Sequence, residues 1–271
     1  MLLPLKTCVF IAKTKQVQHS NILYCLSATR TSVADVICAG RMRTIYLILL
    51  IFFISTACLF AGDIANFQNL GFSPDSRYFM FGQYGINEKT SSPYADIFFV
   101  DVKSNTFLPQ GVKHIQFRES VKPGNDGKGA LFSLLEESYN LTKKHNINHI
   151  ATGRFLYILL DGEKPKAELN FRDFQSGQRY NITLSQKSRG QGKNVEAAFH
   201  IVLTIEYKSG KSRNLVVGLP NYWRSGVRAY RIKRIILAPD EKSLIFMIQK
   251  EEVDSAGPNI RFMVETVVTG S

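Results

Sequence analysis

Two stretches of this chain, 165 residues apart, carry the same pattern, and that pattern limits the fold more than any other feature. The first runs Leu70-Gly-Phe-Ser-Pro-Asp-Ser-Arg-Tyr-Phe-Met-Phe81 and the second Ile236-Leu-Ala-Pro-Asp-Glu-Lys-Ser-Leu-Ile-Phe246. Pro74 aligns with Pro239, Asp75 with Asp240 and Phe81 with Phe246. Proline sets φ for a tight turn and Asp accepts hydrogen bonds from the turn's own amides, so each unit reads as strand, turn, strand. Another aromatic strand follows each, Ile97-Phe-Phe-Val100 and Ile260-Arg-Phe-Met-Val264.

Much of the rest alternates with period two. Between Val195 and Lys208, Phe199, Ile201, Leu203, Ile205 and Tyr207 share one face, and Lys208-Ser-Gly-Lys211 turns the chain into Asn214–Val217. Arg154–Leu160 reads as a hairpin with Ala167–Phe174 through Asp161-Gly162, continued by Tyr180–Leu184. One helix is expected, Ala130–His145, with Leu131, Leu134, Leu135, Ser138 and Leu141 near helical spacing. The expected fold is mainly β, with antiparallel blade-like sheets forming a partial propeller or a sandwich and one short helix near residues 130–145.

The Pro-Asp units resemble the strand-turn units of TolB-like β-propeller repeats, whose signature is an apolar residue, Ser-Pro-Asp-Gly and an aromatic-aliphatic strand. Val100-Asp-Val-Lys-Ser-Asn-Thr-Phe107 and Arg172-Asp-Phe-Gln-Ser-Gly-Gln-Arg179 resemble the later turn of such a blade. Ser76 and Glu241 stand where the signature has glycine. Two Pro-Asp units are also fewer than a closed propeller of four to eight blades requires. Taken over residues 62–271, with Gly218-Leu-Pro-Asn-Tyr-Trp-Arg-Ser-Gly-Val-Arg-Ala-Tyr230 before the second unit, the chain resembles a family of predicted secreted bacterial proteins of unknown function. That resemblance implies export and this fold, and brings no catalytic residue or cofactor with it.

Export is also legible in residues 42–61. Arg41 and Arg43 flank Met42, Ile45–Ile54 is unbroken apolar sequence, and small residues lead to Ala61, the pattern of a signal peptide. With translation starting at Met42, residues 1–41 are an over-extended start; otherwise they are a basic tail. Three fates fit the segment: cleavage after Ala61, lipidation of Cys58 in Ser55-Thr56-Ala57-Cys58, or an uncut membrane anchor. All place a single β-rich domain, residues 62–271, outside the cytoplasm, periplasmic or secreted, with membrane association in the last two cases. The four cysteines, Cys8, Cys25, Cys38 and Cys58, precede that domain and lack the spacing of a zinc site.

The chain has 34 Lys and Arg against 22 Asp and Glu. Residues 1–61 hold six of the former and one of the latter, so 28 face 21 in the exported body, a net +7. Such a charge favours an anionic envelope component or a partner protein of the envelope. Nucleic acid is not expected as a partner of an exported protein.

Catalytic signatures are missing from the sequence. There is no G-x-S-x-G elbow, and no cysteine beyond Cys58 to act as a nucleophile. His145 and His149 have the spacing of a helical zinc pair but lack the following Glu, and read as exposed helix-end residues. His200 reads as a half-buried strand residue, and His114 has no partner nearby in sequence. Gly124–Gly129 and Arg189–Lys193 lack phosphate-loop spacing and read as flexible loops. No metal or cofactor is expected. The stretch Asn221–Arg234 holds the chain's one Trp beside five basic residues. Tyr222, Trp223, Arg224, Arg228, Tyr230 and Arg231 are its candidate binding residues, because aromatic faces beside guanidinium groups hold sugars, headgroups or anionic polymers. The reading is a non-catalytic binding module. The alternative is a hydrolase acting on an envelope polymer, with carboxylates assembled by the fold.

Overall fold

The computed structural model describes residues 62–122, 124–253 and 257–270, which lie within one structural unit. Cys58, Ala61 and the whole segment before Gly62 lie outside the described residues.

Each Pro-Asp unit forms the hairpin its residues predict. β1 (Asn66–Phe72) turns into β2 (Tyr78–Asn87), and β11 (Val227–Leu237) turns into β12 (Ser243–Val253). The two turns share their closing hydrogen bonds. Ser76 N donates to Ser73 O as Glu241 N does to Ala238 O; Asp75 Oδ1 accepts from Arg77 N as Asp240 Oδ1 does from Lys242 N. Ser76 and Glu241 both sit at φ +55°, the left-handed conformation for which glycine is best suited. Asp240 N also donates to Ser76 Oγ, so the turns touch.

β3 (Ser92–Asp101) and β4 (Thr106–Gln116) complete a four-stranded meander, β1-β2-β3-β4. Phe67, Phe81, Phe98 and Phe107 form a ladder across it, with centroids 5.5, 4.7 and 5.5 Å apart. The residues expected to make one helix make two, α1 (Lys128–Glu137) and α2 (Tyr139–Lys144). Ser138 interrupts them at φ −87°, ψ 0°, its N–H shared between Leu134 O and Leu135 O. Leu131 and Leu134 are fully buried against Met80, Ile97 and Phe99. The outer edge of β1 is covered by residues 148–152, through Asn148 N to Phe72 O and Phe72 N to Ala151 O. A Cβ on Gly71 would meet Asn148 O at 2.1 Å, so only glycine admits this approach.

The second sheet is built from β6 (Glu168–Arg172), β7 (Arg179–Arg189), β8 (Glu196–Glu206), β9 (Ser212–Val217) and β10 (Arg224–Ser225), with β9 and β10 sharing one edge of β8. The expected β8–β9 hairpin is present, and Phe199, Ile201, Leu203 and Ile205 are buried as the alternation predicts. The Arg189–Lys193 loop is the β7–β8 connection.

The third sheet runs β13-β12-β11-β5, with β5 (Arg154–Ile158) beside β11 and β13 (Pro258–Val268) beside β12. Here one expectation is corrected: β5 and β6 are not a hairpin. Asp161-Gly162 does turn the chain, with Glu163 N bonded to Leu160 O, but the segment through Pro165 then leaves the sheet and β6 pairs only with β7. The two strands instead face each other across sheets, where the Arg154 guanidinium grips the buried Asp173 carboxylate at 2.8 and 2.9 Å.

The layers follow from which faces are apolar. The third sheet is central. Ile235, Leu237, Leu244, Phe246 and Ile248 pack against the second sheet, and Ile236, Ile245 and Val264 against Phe72, Phe79 and Phe81 of the first. The order is helices, first sheet, central sheet, second sheet. The fold is mainly β and antiparallel, as expected, with stacked sheets and no closed barrel.

Two outcomes test this account. Glu241→Gly relieves a left-handed penalty of about 1–2 kcal/mol, partly offset by the freedom glycine adds to the unfolded chain, for a net gain of up to about 1 kcal/mol; Glu241→Val lowers stability, both read as denaturation midpoints. Asp173→Asn costs about 2–3 kcal/mol, below the usual value for a fully buried pair because Arg154 is partly exposed. The Arg154 guanidinium and the Ser176 hydroxyl and amide hold the Asp173 carboxyl well below the usual range, against burial. Its contribution is therefore present above the unfolded carboxylate value and lost as pH falls through the folded one, so the variant shows a flatter acid limb.

Candidate functional site

The Asn221–Arg234 stretch does not stay together as one patch. Tyr222, Trp223 and Arg224 lie at the β8–β10 edge. Arg224 sits 4.7 Å from the Tyr222 ring and 5.3 Å from Phe199, with the buried Glu265 carboxylate 3.7 Å away. Arg189 covers Trp223 at 4.2 Å while holding Glu196 through two hydrogen bonds. Tyr222 is exposed, so its free face is the one aromatic surface this cluster offers.

Tyr230 is a correction. It is 1% exposed, packed on Phe199 at 4.3 Å, with its hydroxyl donating to Ala197 O and its backbone bonded both ways to the Gln186 amide. It belongs to the core because alternation along β11 puts Tyr230 and Ile232 on the face toward the second sheet. Arg228 and Arg231 lie on the other face and share one carboxylate, Glu251, at 3.0 and 3.3 Å.

The better site begins where that alternation breaks. Ile232 pairs with Ile248 and Arg234 with Met247, so Lys233 is an extra residue on β11, a β-bulge. Were the strand to alternate unbroken through Lys233, Arg234 would share the face of Ile232 and enter the apolar core. With the bulge, Ile235 and Leu237 resume the core face while Arg231, Lys233 and Arg234 all reach the opposite side. There they line one wall of a cleft of about 490 Å³. Phe67, Met247 and Phe262 supply apolar wall, and the Leu160–Glu163 turn closes one side.

The charges in the cleft are unequal in their company. Lys233 Nζ lies 2.6 Å from Asp161, whose side chain is fully exposed. The Lys233 hydrogen bond, helped by its charge and that of Arg234, draws the Asp161 carboxyl below its ordinary value. Arg231 has Glu251. Among the described residues Arg234 has no ion pair; its guanidinium lies 5.5 Å from the Phe155 ring, and its buried Nε has no hydrogen-bond partner. That Nε is closed to solvent, so it is the rest of the Arg234 guanidinium that can meet an anion in the cleft, through a charge-assisted bond. The clue in the sequence is the two-residue gap, Lys233-Arg234, between Ile232 and Ile235 in an otherwise alternating strand.

Other candidates resolve as structure. His149 Nδ1 bonds Leu70 O at 2.6 Å, and half-buried His145 packs edge-on to Tyr78, its pKa lowered by burial, then by Lys144 and Arg77. His114, unpartnered in sequence, meets Asp96, which holds Gln83, whose carbonyl accepts from Phe262 N. Among the described residues no group of three or more His, Cys, Asp or Glu side chains is placed to hold a metal ion.

Glu265 generates a pH prediction. Burial pushes its carboxyl up, against the Asn105 hydrogen bond and the Arg224 charge that favour ionisation. A raised folded value means that the group's contribution is fully present below the unfolded value and lost as pH rises through the folded one. Glu265→Gln therefore flattens the loss of stability on going up from about pH 4, the ordinary glutamate value, as read by denaturation midpoints across that range.

A family model described as "Predicted secreted protein (DUF2259)" matches residues 80–268. No curated protein and no solved structure matches the chain.

Proposed function

The chain belongs to this family of predicted secreted proteins, DUF2259, and on that premise we propose that it is an exported binding module that takes an anionic component of the cell envelope into the cleft beside β11. The observation that carries the reading is Arg234, a cation brought out of the core by a bulge to the wall of a cavity and, among the described residues, without an ion pair of its own. Lys233 and Arg231 add charge to the same wall, and the net +7 of residues 62–271 draws anions toward it from a distance.

Export through residues 42–61 would place the cleft on the envelope side. Cleavage after Ala61 would free the domain, and a lipid on Cys58 would hold it at a membrane. Among the described residues no helix is long and apolar enough to cross a membrane. Tyr222, with Trp223 and Arg224 behind it, is proposed as an accessory contact at the β8–β10 edge. Arg228 serves mainly by sharing Glu251 with Arg231.

Retention on the native envelope fraction tests this. Arg234→Glu lowers retention at least about tenfold, the size of one charge-assisted hydrogen bond. Trp223→Ala and Arg228→Glu change it less, and raising salt weakens the unaltered protein. Equal retention of Arg234→Glu and the unaltered protein, with both folded by circular dichroism, overturns the assignment of the cleft.

A further inference from the structure

The two halves of the cleft differ in chemistry. β11 lines it with three cations, faced by Asp161 and Glu163 of the turn, whereas Phe67, Met247, Leu159 and Phe262 supply apolar wall. The apolar character continues outward. Ile64 and Leu160 line the cleft and are 66% and 60% exposed, although both are large and aliphatic. Ile158, the cross-strand neighbour of Arg234, and Phe155, the ring beside its guanidinium, are exposed too. Single exposed apolar side chains are ordinary, but here two lie on the rim of the cleft and two beside the arginine in its wall, and such grouping of exposed apolar residues marks binding surfaces.

Size bears on the occupant as well. A cleft of about 490 Å³ is far larger than a bare tetrahedral anion. It falls in the usual range for small-molecule sites, about 300–1,000 Å³. A small anion held by Arg234 would leave the part-exposed Phe67 and the exposed Ile64–Leu160 rim wet. A neutral apolar molecule would leave the Arg234 donor unmet. One molecule with both properties satisfies the whole lining.

We infer that the cleft takes a single-chain anionic amphiphile, with a phosphate or carboxylate head on Arg234 and Lys233 and its hydrocarbon along Phe67, Phe262 and the Leu160–Ile64 rim. The inference rests on the reading of the cleft as an anion site and adds the chemical class of its ligand. The head displaces Asp161 from Lys233 at little cost, because Asp161 is wholly exposed in that pair.

The test is calorimetry on the protein recovered from the envelope fraction, with three probes below any micelle concentration: octyl phosphate, inorganic phosphate and octyl glucoside. Octyl phosphate binds at least tenfold more tightly than either of the others, and Arg234→Gln brings it down to the level of octyl glucoside. Leu160→Ser weakens octyl phosphate and leaves inorganic phosphate unchanged. If inorganic phosphate binds as tightly as octyl phosphate, the amphiphile inference falls and the anion site stands. If octyl glucoside binds as tightly as octyl phosphate, the anion site itself falls. Binding of none of the three overturns both. Should Arg234→Gln not fold, the three probes on the unaltered protein decide alone.

Discussion

Leu244–Ile248 of β12 lie in the middle of the stack, each at most 1% exposed, with alternate side chains touching different sheets. A sheet covered on both faces has no side on which to set a charge, because a buried unpaired ion costs far more than one apolar contact returns. The central sheet therefore admits polar groups only at its ends, its edges and its irregularities. Arg234 sits beside such an irregularity. The Lys233 bulge shifts the alternation of β11 by one residue, keeps Ile235 and Leu237 in the core, and puts the guanidinium where the first sheet's cover gives way to the cleft.

The same rule governs the edge at β13. An edge strand carries a row of unmet amides, and burial makes each one expensive. Here the first sheet and the residues before it answer them. Ile260 N bonds Asp63 O, Phe262 N bonds the Gln83 carbonyl, and Thr266 N bonds the Asn105 carbonyl. Asp63 is itself held by Arg261 and by the Tyr94 hydroxyl, whose own ionisation is pushed far up by burial. These side chains do what another strand would do, and they fix the first sheet against the central one.

What could be read from sequence followed from distance along the chain. The Pro-Asp turns, the β8–β9 and β6–β7 hairpins and the buried face of β8 all rest on neighbours within about a dozen residues, where period and turn chemistry suffice. The β5–β6 hairpin failed because an Asp-Gly turn reports only that the chain bends; β6 pairs with β7, next in sequence, and β5 with β11, about 70 residues further on. Helix continuity through Ser138 failed for a related reason: its position on the apolar stripe was right, but the backbone was broken there. At the candidate site, residue types were legible and their sides were not. Tyr230 and Arg231 are adjacent and of equal promise as letters, yet one is core and the other lines the cleft.

By itself, then, the sequence determined a basic β-rich body, two matching strand-turn-strand units and a stretch dense in Arg, Lys and aromatic residues. These are properties of composition and of local periodicity, and they survive without knowing which strands meet. Tertiary structure alone decided that the sheets stack with β11–β13 in the centre, and that Arg224 is covered by rings and Glu265 while Arg234 is left unmatched in a cavity. The physical reason is that a charge is made useful or harmless by what faces it, and those facing groups include Phe155 and Phe262, on strands that the fold alone brings to the cleft.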